Sequence, residues 1–116
     1  MAPVISRRSE FDTEGITPLC LLVTVGDRQA GGISASINGE LLNLVSGEKN
    51  CFGDTVAVSG RTLKIKVVID RVPSGARATV TITLSAGSDH EKTEEYDLTD
   101  FVENGQVTGD FKYDIY

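Results

Sequence analysis

The chain has 116 residues, of which 40% are hydrophobic, 24% charged and 6% aromatic, with no tryptophan. That composition fits one globular domain and not a disordered segment. The formal net charge of −6 argues against a nucleic-acid partner, because phosphate binding rests on Lys and Arg. The longest apolar run, Leu19 to Val23, falls far short of the roughly 20 residues that span a bilayer as a helix.

The charge is uneven. Residues 1 to 88 hold 8 acidic and 9 basic side chains, whereas residues 89 to 116 hold 9 acidic and 2 basic. An acidic C-terminal quarter of this kind steers basic partners.

Residues 1 to 17 are polar and irregular and predict a loose arm or an edge strand, leaving 18 to 116 as the single domain. Arg7 and Arg8 are followed by Ser9, Glu10, Asp12 and Glu14, where a secretory signal would place its apolar stretch. A cytoplasmic location is expected if the chain is complete; a mature chain or another export route is the alternative. Leu19 to Val25 is apolar on both faces, the pattern of a central strand. Asn38-Gly39 tolerates the positive φ angles of a two-residue turn and predicts a hairpin pairing Ile37 with Glu40, Ala35 with Leu42 and Ile33 with Leu44.

Thr55 to Ser59 reads as a short strand between turn residues. Thr62 to Asp70 carries apolar side chains at Leu63, Ile65, Val67 and Ile69, and Arg77 to Ser85 carries them at Ala78, Val80, Ile82 and Leu84. Strict alternation predicts two half-buried strands. With Pro73 and Gly75 between them, the expectation is a hairpin setting Ile69 opposite Ala78 and Leu63 opposite Leu84.

Glu91 to Tyr96 reads as an edge strand. Residues 98 to 104 predict a helical turn capped by Asp97, with Leu98, Phe101 and Val102 on one side and Asn104-Gly105 as its stop. The last segment alternates again, with Val107, Phe111, Tyr113 and Ile115 on one face and a bulge expected at Gly109. Seven or eight short strands between turn signals define an all-β fold, an antiparallel β-sandwich of immunoglobulin-like or similar topology. The Cys, Trp, Cys signature of antibody domains is absent.

Cys20 and Cys51 match no zinc-ligand spacing, and the sequence reading favours two buried free thiols over a disulfide. Nucleophilic catalysis needs a base beside the nucleophile, and the single histidine, His90, lies between Asp89 and Glu91 in a segment that reads as a turn. No G-x-S-x-G elbow or phosphate-binding loop occurs, so no enzyme is expected.

Two candidate sites remain. The outward side chains of the expected hairpin, Lys64, Lys66, Thr79, Thr81 and Thr83, would form one flat polar face suited to an acidic partner or a sugar. Asp89, Glu91, Asp97, Asp100 and Glu103 offer the oxygen ligands that calcium prefers, although their spacing is not that of an EF-hand. Tyr96 and Tyr116 are the aromatic residues least committed to a core. The function expected is a non-enzymatic binding or protein-protein interaction module. Its partner is expected to be a protein ahead of a carbohydrate, and no cofactor other than calcium is indicated. The first alternative is a surface, secretion or virion subunit that homo-oligomerises by exchanging its terminal strands, and the second a calcium-dependent or carbohydrate-binding domain.

Overall fold

A computed structural model describes residues 4–12, 19–26, 32–37, 40–44, 47–51, 62–70, 72, 75, 77–86 and 90–116, with backbone alone at 37, 40–44 and 90. Nine strands follow in chain order: β1 Val4–Phe11, β2 Leu19–Val25, β3 Ile33–Ile37, β4 Glu40–Leu44, β5 Lys49–Cys51, β6 Thr62–Ile69, β7 Thr79–Ala86, β8 His90–Asp97 and β9 Val107–Ile115. They form a sandwich of two sheets, one in the order β1-β9-β6-β3-β4 and the other β5-β2-β7-β8. Every pairing is antiparallel except that of β1 with β9.

The order resolves into two bent hairpins. In the first, β3 and β4 pair in one sheet while the chain on either side crosses over, so that β2 and β5 pair in the other. In the second, β7 pairs with β8 and β6 with β9. The second keeps one register through its bend: Thr79 lies opposite Asp97 and Ile69 opposite Val107, both pairs symmetric in sequence about Ser88. Side-by-side contact of β3 with β6 and of β2 with β7 joins the hairpins.

This corrects the hairpin expected from Thr62 to Ser85. The strands β6 and β7 exist, and Leu63, Ile65, Val67, Ile69, Ala78, Val80, Ile82 and Leu84 are all buried. They lie in opposite sheets, facing each other through the core. Alternation specifies which side chains turn inward; it does not say whether two inward faces share a sheet or oppose each other. The connection crosses at a corner where Val72 N–H donates to Gly105 O at 3.0 Å and Leu98 N–H to Ala78 O at 2.7 Å. The real tip of this hairpin falls between β7 and β8.

The Asn38-Gly39 hairpin has the expected register, Ile37 opposite Glu40, Ala35 opposite Leu42 and Ile33 opposite Leu44, although the two turn residues lie outside the described set. Strand β2 sits between β5 and β7, as a strand apolar on both faces should. The Thr55 to Ser59 strand lies outside the described residues. Residues Val4–Phe11 are the edge-strand alternative for the N-terminal arm.

Two expectations near the C-terminus are corrected, the first with a steric cause. Gly109 is no bulge; it pairs regularly with Ile5 and Val67, and a Cβ there would stand 2.5 Å from Cε2 of Phe111. The glycine makes room for that ring. The helical turn is a short 3-10 segment, Thr99–Phe101, with Leu98 buried and Phe101 exposed. Asn104 and Gly105, both at positive φ, close a tight turn bracketed by reciprocal Glu103 and Gln106 hydrogen bonds of 2.9 and 3.0 Å.

The cysteines are not free thiols. Cys20 and Cys51 are directly opposite in the β2–β5 pair and form a disulfide. The bend of the first hairpin brings them together, which a separation of 31 residues does not reveal.

The strand order departs from the immunoglobulin arrangement. There the last two strands, F and G, share a sheet; here β8 and β9 lie in opposite sheets.

Replacing Gly109 with alanine will push the Phe111 ring off its seat, and overpacking of this kind costs roughly 1–3 kcal/mol. Urea denaturation will show it as a lower midpoint with unchanged slope.

Candidate functional site

The five residues expected to share one polar face do not. Lys64 and Lys66 stand on the outer surface of the first sheet, and Thr79, Thr81 and Thr83 on that of the second. The outer surfaces of a sandwich point in opposite directions, so no ligand touches both sets. The correction follows directly from the separation of β6 and β7.

Each set acquires other neighbours. On the first sheet Lys64 lies between Ser36 and Lys112, and Lys112 lies beside Arg8. Like charges directly across strands are unfavourable. The Arg8 guanidinium relieves part of this by forking onto Asp114, Nε to Oδ2 at 2.9 Å and Nη2 to Oδ1 at 2.7 Å. That fork is the main reason the Asp114 carboxyl is held below the usual range. On the second sheet Thr83 and Thr93 share a hydroxyl hydrogen bond of 3.0 Å, and Thr81 lies opposite Glu95.

Of the calcium candidates, Asp89 lies outside the described residues. Glu91 and Asp97 project outward from opposite ends of β8, Asp100 sits in the 3-10 segment and Glu103 in the turn beyond it. Among the described residues, no three His, Cys, Asp or Glu side chains gather closely enough to hold a metal. Asp97 is already engaged. Its Oδ1 accepts from the Thr99 hydroxyl at 2.5 Å and the Thr99 N–H at 3.0 Å, and Oδ2 accepts from Arg77 at 3.1 Å. These bonds to the charged form, Thr99 first, hold its pKa down to about 2. Asp97 is not the N-cap expected of it: Leu98 holds that position with no side-chain cap, and Asp97 instead bonds Thr99 two residues on.

His90 is not in a turn. It opens β8, its backbone paired with Ala86.

The feature that sequence reading missed is the seam where the edge strands β1 and β8 approach each other. Alternation along β8 puts Glu91, Thr93, Glu95 and Asp97 outside and exposed, and Lys92, Glu94 and Tyr96 inside and half-buried. Ionisable residues thus occupy the inward positions of this edge, one way a sheet edge resists indiscriminate pairing. Lys92 Nζ crosses between the sheets, donating to Ser9 Oγ and to the Glu10 carbonyl at 2.9 Å each. It also lies 3.6 Å from Glu94 Oε1, an oxygen shielded from solvent.

Deeper in the seam, Tyr96 packs on Phe111 with ring centroids 4.5 Å apart, and its hydroxyl lies 3.2 Å from that of Tyr113. Tyr96 is half-buried, packed against the core but outside its buried set, and Tyr116 is exposed, its hydroxyl donating to Glu10 at 2.8 Å. Burial raises both the Tyr96 and the Tyr113 pKa, with Tyr113 pushed far above the ordinary phenol value. The signal for this seam is the run Lys92, Glu94, Tyr96 at alternate positions. It was hidden because polar residues were assigned to solvent.

Comparison with protein families, curated proteins and solved structures returned no match.

Two outcomes test this geometry. Lys92→Met removes two hydrogen bonds of a partly exposed ammonium, a loss of about 1 kcal/mol, and amide exchange in β1 will quicken while that of β6 stays unchanged. In an alkaline absorbance titration Tyr113 will remain neutral until the fold is lost. Because its folded pKa lies above the unfolded one, its contribution to stability is complete below about pH 10 and declines as pH rises further.

Proposed function

We propose that the protein is a non-enzymatic interaction module whose edge strand β8 receives an extended basic segment of a protein partner. The observation that carries this reading is the two-sided character of β8. Its outward side chains Glu91, Thr93, Glu95 and Asp97 are exposed, and among the described residues no strand pairs with its free edge. Its inward side is held by Lys92 on β1 and by Tyr96 on Phe111.

A strand fixed on one side and open on the other loses little conformational freedom on binding. Main-chain pairing supplies affinity, and side chains at alternate positions supply selectivity. The outward carboxylates favour Lys or Arg at every second position of the guest and raise its association rate at low salt. An acidic or apolar guest meets either repulsion or uncompensated desolvation of the carboxylates.

The test is fluorescence anisotropy with a labelled extended peptide alternating Lys and Thr, beside a control with Glu in place of Lys. The basic peptide will bind, and more weakly as salt rises. Reversing both charges, Glu91→Lys with Glu95→Lys, will reduce its affinity about tenfold, a change of roughly 1.4 kcal/mol. Equal binding of the two peptides, or an unaltered affinity in the double variant, rejects the reading.

A further inference from the structure

We infer that the Cys20–Cys51 disulfide is a redox-controlled clasp, whose reduction releases β5 and opens the edge of β2 for pairing with β2 of a second copy of this chain. The inference concerns a different edge from β8 and stands independently of the reading above.

Strand β5 has three residues and, among the described residues, pairs with β2 alone. None of its side chains is buried: Lys49 and Cys51 are exposed and Asn50 is half-buried. The Asn50 amide donates to the carbonyl of its own neighbour, Glu48, at 3.3 Å. Just before β5, Gly47 and Glu48 are exposed, and Gly47 adds one hydrogen bond to Val23 O at 2.9 Å. Among the described residues, that short ladder and the disulfide are what hold this segment in place. Segments with few buried contacts open locally at little cost once a covalent tie is removed.

Strand β2 is the opposite case. Leu19, Leu21 and Val23 are buried, and Leu22 is half-buried on the outer surface. Its other edge is paired with β7 from Leu19 to Val25, so β2 stays in the sheet when β5 leaves.

The exposed position of Cys51 makes its sulfur the point of attack for a small dithiol. A thiolate of the reductant bonds to Sγ of Cys51, the bond between the two protein sulfurs breaks, and Cys20 leaves as a thiolate that takes a proton from water. The second thiol of the reductant then attacks its own partner sulfur in the mixed disulfide. Cys51 is released, and the reductant departs as a cyclic disulfide, having supplied two electrons.

The N–H and C=O groups of Leu21 and Val23, which faced β5, are then unpaired, on a strand with no charged residue. Two copies of such a strand pair antiparallel about a two-fold axis without like-charge repulsion. The edge β8 opposes the same self-pairing with Glu91, Glu95 and Asp97, and β1 carries Arg7, Arg8 and Glu10. Charged edges block such association. A second copy is therefore the occupant that fits the β2 edge.

The experiment compares oxidised protein, protein reduced with a dithiol, and the Cys20→Ser, Cys51→Ser double variant, by amide exchange and light scattering. The oxidised form will be monomeric. In dilute solution, reduction will speed exchange at Leu21 and Val23 at least tenfold, while Leu22, Ile65 and Phe111 stay protected. At higher concentration the reduced protein and the double variant will dimerise, and reoxidation will restore the monomer. Adding Leu22→Lys to the double variant will keep it monomeric with the same open β2 edge. The proposal is overturned if the Leu21 and Val23 amides keep their oxidised protection after reduction. It is equally overturned if Ile65 and Phe111 lose protection with them, if the opened protein stays monomeric at all concentrations, or if Leu22→Lys leaves the dimer intact.

Discussion

The apolar faces of β6 and β7 meet through the core, and the other arrangements in the molecule follow from that contact. Leu63, Ile65, Val67 and Ile69 oppose the set Ala78, Val80, Ile82 and Leu84 within one cluster. Burying both faces against each other removes from water the apolar area that drives folding. A flat β6–β7 hairpin would leave both faces on one side, waiting for a cover from elsewhere. Folding the longer hairpin on itself lets a single segment, Thr62 to Ile115, supply both walls. The strand β9 then completes the first wall beside β6, with the Phe111 ring laid over Gly109, and β8 completes the second.

How much of this is legible in the sequence depends on what a pattern encodes. Alternation assigns faces, and it did so correctly for β6, β7 and β9, because each side chain's direction is a local property of an extended chain. Pairing partners are not local. They were readable only where a two-residue turn left no choice, as at Asn38-Gly39. Between Asp70 and Arg77 lie six residues, enough to cross the roughly 10 Å between sheets, and Pro73 and Gly75 are as compatible with a crossing as with a turn. The disulfide was unreadable for the same reason: Cys51 meets Cys20 only after the first hairpin has bent. The seam was obscured differently. An edge strand carries charge on its inward face, so Lys92 and Glu94 look like solvent-facing residues until β1 is seen beside them.

The separation of the sheets also redistributes charge. The acidic C-terminal quarter is not one patch. Asp110 and Asp114 belong to the outer surface of the first sheet, among Arg8, Lys64, Lys66 and Lys112, whereas Glu91, Glu95 and Asp97 line the free edge of the second. The first surface is of mixed sign, with Arg8 bonded to Asp114. On the second edge, among the described residues, Arg77 meets a carboxylate at Asp97. Long-range steering of a cation therefore acts most strongly at β8, within a Debye length of about 10 Å at ordinary ionic strength. An eight-residue acidic edge, backed by Lys92 and Tyr96, is what gives this face its functional reading.

The most direct test of the account is a set of interstrand nuclear Overhauser contacts across the second hairpin. The bent arrangement predicts backbone contacts of Val67 with Gly109 and with Ile33, and of Val80 with Tyr96 and with Val25. Backbone contacts between Val67 and Val80, the pair a flat β6–β7 hairpin would place side by side, would contradict it.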